Sequence, residues 1–259
     1  MIRFGTSGWR GVIAEEVTFA NLRRLVAAIA THLVGTGTAP KGVFVGFDTR
    51  FLSDRFAREA ATILAARGIP VTLSPAPVPT PVVAHAIVSG RRAGGINITA
   101  SHNPPEYSGL KFSTASGAPA RPEVTREIEA RANSDDAGPG GRAQATARIR
   151  ELDMRPAYFR QIGRLVRLDV VRRARLSLGL DPRHGASIAY LGGLARKAEE
   201  ESRAYLEKRF RGRRSALQRE LAKLVPGALA ASVRTGISTI LGIDKPRRPD
   251  PKKRDLDDP

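Results

Sequence analysis

Apolar runs of four to six residues alternate with helix-period stretches across residues 19–132, and that alternation leaves few folds open. Residues 19–33 place Leu22, Leu25, Val26, Ile29 and Leu33 at helical spacing, with Thr18 positioned to cap the first turn. Residues 42–47 (GVFVGF) read as a buried strand. An amphipathic helix follows over 53–67 and stops at Gly68. A second strand over 71–74 leads into a helix over 79–89, whose first turn accommodates Pro81. A third strand over 95–99 and a fourth over 110–113, running antiparallel to its neighbour, precede a helix over 122–132. Strands and helices joined by short loops predict an α/β fold: a mixed, mostly parallel sheet with helices on both faces. In such sheets ligands sit beyond the carboxyl ends of the strands. Asp48-Thr49-Arg50 and Ser101-His102 both fall at such ends.

Residues 1–133 form the first unit of this reading, and 134–154, which begin rich in Gly, Ala, Asp and Ser, a linker. A short helix over 155–166 and a fresh strand over 176–180, followed by DPRHGA, predict the start of a second, partial α/β unit over 155–193. Residues 194–243 read as a basic helical region. The Pro, Arg, Lys and Asp composition of 244–259 predicts a disordered tail. There is no internal repeat.

The net charge is +18, with a pI near 11.3. Such a surplus suits an anionic partner: nucleic acid, an acidic membrane or phosphorylated small molecules. It is also what an arginine-heavy codon bias produces, since 35 of the 43 basic residues are Arg. The basic C-terminal stretch has few aromatics (Tyr205, Phe210) and no nucleic-acid motif, which argues against nucleic acid. Without cysteines the chain forms neither disulfides nor thiolate metal sites. No secretory signal opens the sequence, and no run approaches the ~20 apolar residues of a membrane helix, so a cytoplasmic location is expected.

The stretch TASHNPPEYSGLKF over 99–112 sets a serine beside a histidine, on a turn stiffened by Asn and two prolines, with Lys111 following ten residues after Ser101. No nearby aspartate completes a hydrolase triad. Phosphoryl transfer asks instead for positioning and charge stabilisation. A phosphoserine brings a charge of about −1.5 to −2, for which Arg10, Arg50 and Lys111 are candidate counter-charges. Arginine offers a planar fork to phosphate oxygens, and lysine a mobile proton.

FGTSGWRG (4–11), VGFDTR (45–50), TASHNP (99–104) and YSGLK (107–111) occur in that order. Together they resemble the first domain of the α-D-phosphohexomutases, the phosphoglucomutase and phosphomannomutase superfamily. DPRHGA resembles the opening of that family's second domain, so the likeness covers roughly residues 1–193. The resemblance implies an isomerase that moves phosphate between the 1- and 6-positions of a hexose phosphate through a phosphoserine. It implies Ser101 as the carrier, Lys111 as general acid/base, and Arg10 and His102 as active-site supports. It places Thr6, Ser7, Arg50 and Asn103 among the phosphate-binding residues. Mg²⁺ is implied as cofactor, bound through the Ser101 phosphate. The family's Asp-Gly-Asp-Gly-Asp-Arg metal loop and its later sugar- and phosphate-binding loops have no counterpart in this sequence. The implied activity is therefore that of a truncated homologue, weak or absent in isolation. Two alternatives stay open: a non-catalytic phosphosugar-binding module, and a basic protein binding nucleic acid through its C-terminal helices.

Overall fold

The computed structural model describes residues 1–5, 8–134, 146–167, 181–182 and 184–194. Its strands are β1 (Phe4–Gly5), β2 (Gly8–Val12), β3 (Val43–Phe47), β4 (Val71–Leu73), β5 (Gly94–Ile98), β6 (Tyr107–Thr114) and β7 (Ile149–Glu151). They form one sheet in the order β1-β2-β6-β5-β3-β4-β7. The β5–β3, β3–β4 and β4–β7 pairings are parallel, whereas β1–β2, β2–β6 and β6–β5 are antiparallel. The sheet is thus evenly mixed, not mostly parallel as expected. The difference comes from the glycine-rich N-terminal segment, for which the sequence predicts no strand and which supplies two antiparallel ones. Ile149–Glu151, which lies inside the expected linker, adds an edge strand parallel to β4.

The helices are α1 (Phe19–Gly35), α2 (Ser53–Ala66), α3 (Thr80–Ser89), α4 (Pro122–Asn133) and α5 (Arg155–Leu165). Thr18 caps α1 by accepting the Asn21 N–H at 3.1 Å, an arrangement worth about 1 kcal/mol. Strand periodicity divides the sheet's side chains between two cores. Val43, Val45, Ile96, Ile98, Leu110, Phe112 and Trp9 face the larger one, beneath α1, α2 and α4. Phe44 faces the smaller one, with Val82, Val83 and Ile87 of α3 and with Met154 and Tyr190. Tyr158 and Phe159 of α5, from the stretch expected to begin a second domain, pack against this smaller core. The expected strand over 176–180, helices over 194–243 and tail over 244–259 lie outside the described residues. No described helix is long and apolar enough to cross a membrane.

β2 and β6 approach closely because Gly109 lacks a side chain. A methyl group there would run into the Trp9 carbonyl oxygen and stand 3.0 Å from the Arg10 Cα. These obstacles are backbone and cannot rotate away. Gly109→Ala should therefore destabilise the fold by about 1–3 kcal/mol, the usual cost of overpacking, measured by urea denaturation.

Candidate active site

The sheet face on the α3 side is polar at its upper end. Register sets Asn97 opposite both Lys111 and Gly46. Arg10 lies opposite Gly109, whose carbonyl accepts the Thr99 N–H at 2.9 Å. Asp48 continues β3 and donates its N–H to the Ile98 carbonyl at 3.0 Å. Glycines leave room above this face: a methyl group at Gly8 would meet the Lys111 side chain at 2.9 Å.

An open cleft of about 760 Å³ lies over this end of the sheet. Its lining includes Ser101, His102 and Asn103, the 48–51 turn, Pro79 and Thr80 at the start of α3, and His184. Ser101 is exposed on it, and its hydroxyl lies 3.4 Å from His102 Nδ1. Its backbone is left-handed, with φ of 60°. That conformation costs a non-glycine residue on the order of 1–3 kcal/mol, and it persists only where surrounding contacts enforce it. Thr99 Oγ1 supplies one such contact by accepting the Ser101 N–H at 2.9 Å. Arg10 donates to Asn103 Oδ1 at 3.1 Å, tying β2 to the serine loop.

Arg50 directs its guanidinium at the loop's own backbone. It donates to the carbonyls of Pro104 at 2.6 Å, Tyr107 at 3.0 Å, Ser101 at 3.1 Å and Asn103 at 2.5 Å. Its Nε faces Asp48 Oδ2 at 3.4 Å. Asp48 is held in turn by the Arg50 N–H at 3.0 Å and the Ser53 hydroxyl at 2.9 Å. Lys111 is half-buried. Burial, reinforced by the nearby Arg10 guanidinium, lowers its pKa, and the Asp48 carboxylate opposes them. A lysine depressed in this way holds more of the neutral amine that proton transfer requires.

Of the expected site residues, Ser101, His102, Asn103 and Arg50 line the cleft. Arg10 joins them through Asn103, and Lys111 lies within electrostatic reach of Arg10 and Asp48. Thr6 and Ser7 lie outside the described residues. Sequence reasoning missed Thr99 and Asn97 as participants; the strand period, which puts both on the Lys111 face, was the available signal. Among the described residues Asp48 is the one carboxylate in the lining, and it is engaged by Arg50 and Ser53. Among those residues no group of three or more His, Asp or Glu could hold a metal ion. The implied Mg²⁺ finds no ligand set there.

The family profile described as "Phosphoglucomutase/phosphomannomutase, alpha/beta/alpha domain I" matches residues 1–138. The chain belongs to this family. A phosphoglucomutase of Komagataeibacter xylinus is 32% identical over 210 residues, covering 73% of this chain and 37% of that protein. A phosphoglucosamine mutase of Bordetella petrii is 41% identical over 132 residues, 49% of this chain and 29% of that one. Among solved structures, a putative phosphomannomutase from Thermus thermophilus superposes with a TM-score of 0.58 at 42% identity, covering 66% of this chain and 37% of that chain. The chain spans well under half the length of these relatives.

Proposed function

We propose that this phosphohexomutase chain carries the phosphoserine half of the family's reaction, with Ser101 accepting and returning the phosphoryl group of a hexose phosphate. The relatives named as phosphoglucomutase, phosphoglucosamine mutase and phosphomannomutase give the substrate class. The observation that carries the reading is Ser101 itself: an exposed serine, held left-handed on an open cleft, with an imidazole at 3.4 Å. Transfer from a hexose bisphosphate forms the bond from Ser101 Oγ to phosphorus as the bond from sugar oxygen to phosphorus breaks. Lys111 in its neutral form takes the hydroxyl proton, and the resulting ammonium returns it to the departing sugar oxygen. Arg10 and His102 balance the charge of the phosphoryl group, with Thr6, Ser7 and Asn103 as further contacts.

Incubation with glucose or mannose 1,6-bisphosphate, followed by intact-mass measurement, tests this. The expected result is slow gain of one phosphoryl group that Ser101→Ala abolishes. Equal labelling of the Ser101→Ala protein would place the carrier elsewhere. A second reading, a phosphosugar-binding module without turnover, draws support from the openness of the cleft and from the engagement of Asp48 by Arg50. It predicts that a hexose phosphate raises the melting temperature while no mass is gained.

A further inference from the structure

Arg50 spends four of its side-chain N–H donors in hydrogen bonds inside the protein. A guanidinium has five N–H donors. Four bond to the carbonyls of Ser101, Asn103, Pro104 and Tyr107, and the Nε–H faces Asp48. Both side chains of the ion pair are more than four-fifths buried, at 13% and 15% exposure. Four carbonyl dipoles converging on one point repel one another unless a cation sits between them. The loop from 101 to 107 therefore closes around Arg50, and closing it turns the Ser101 carbonyl inward. A serine free to choose returns to negative φ; Ser101 stays at 60°.

We propose that Arg50 is a positioning residue: its guanidinium, aimed by Asp48, holds Ser101 in the left-handed conformation that presents the hydroxyl to the cleft. This replaces the phosphate-binding role that the sequence suggested for Arg50. It rests on the reading of Ser101 as carrier for its consequence in transfer, though not for its structural content. Lysine cannot take the place of Arg50, because three donors on a compact ammonium do not reproduce a planar fork spanning four acceptors.

The experiment has two arms on the full chain. The first is a thermal-melting cycle that needs no transfer. Glycine accepts the left-handed conformation without cost, so Ser101→Gly should raise the melting temperature by about 2–4 °C while Arg50 is present. In the Arg50→Ala background the loop has relaxed, and Ser101→Gly should give no rise. An equal rise in both backgrounds would overturn the proposal. Arg50→Lys carries the same cycle if Arg50→Ala does not fold. The second arm follows labelling of Ser101 by a hexose bisphosphate. Arg50→Lys should slow the maximal rate by about 10²-fold, the cost of a misplacement of ~1 Å, with the half-saturating concentration unchanged. A raised half-saturating concentration at an unchanged maximal rate would mark Arg50 as a phosphate ligand and overturn the proposal. Wild-type protein that takes no label would sink the carrier reading alone, since the melting cycle still decides the role of Arg50.

Discussion

Replacing Lys111 with methionine should slow labelling of Ser101 about 10²–10⁴-fold, the range for removing a general acid/base, and at the same time raise the melting temperature. The two effects share one cause. Lys111 sits half-buried on the strand face with Arg10 nearby, and its pKa falls below the ordinary lysine value of 10.5. A lowered native pKa means that between it and 10.5 the unfolded chain holds a proton which the native chain has released. Stability contributed by this residue therefore rises with pH through that window, and below it the native state carries a charge it would rather lose. Methionine removes that penalty while filling the space over Gly8. The gain in melting temperature should be largest near neutral pH and shrink as pH climbs through the native lysine pKa. Labelling by the wild-type chain should rise with pH and level off below 10.5, and the Lys111→Met profile should be flat. A drop in melting temperature at neutral pH, or an unchanged labelling rate, would remove Lys111 from the proposed chemistry.

The largest loss of stability should come from Phe44→Ala. Phe44 is fully buried in the smaller core, which comprises eight buried residues among those described. Removing an aromatic ring from a packed core costs about 3–5 kcal/mol, a fall in melting temperature of roughly 6–20 °C for a chain of this size. The site is poorly able to collapse. Phe44 belongs to a central strand paired on both sides, and the face beside it is already closed: side chains of α3 and its entry, Val83 and Val78, pack directly over Gly46. Urea denaturation should show a lower midpoint with an unchanged slope, the signature of lost packing rather than an altered unfolded state. A loss below about 1 kcal/mol would mean that α3 settles into the vacated space.

The elements with strong periodicity were legible from residues alone. The helix expected over 19–33 runs Phe19–Gly35, and the strand expected over 42–47 runs Val43–Phe47. β2 was not legible, because GWRGV carries the glycines of a loop; they are there because Gly8 lies against Lys111 and Gly11 against Glu16. β7 was hidden for the opposite reason. Ile149–Glu151 is exposed throughout, so it has no buried face to announce. Around the cleft, the sequence motifs pointed to Ser101, His102 and Asn103, which lie in its lining, and to Arg10, which reaches it through Asn103. The direction of Arg50 was not readable. Whether an arginine meets phosphate or backbone depends on where the loop carbonyls point, and here one of them belongs to a left-handed serine, a conformation usually signalled by glycine or asparagine.

Ser101 and Lys111 ride on one hairpin. β5 ends three residues before the serine, and β6, its antiparallel partner, carries the lysine. The strands that lead to the serine and carry the lysine are joined by five cross-strand pairs, from Gly94–Thr114 to Ile98–Leu110. The two residues sit on one supersecondary unit. A recombination that transfers this hairpin together with the Arg50 turn carries the proposed phosphate carrier, proton handler and loop clamp into a new context as one heritable piece.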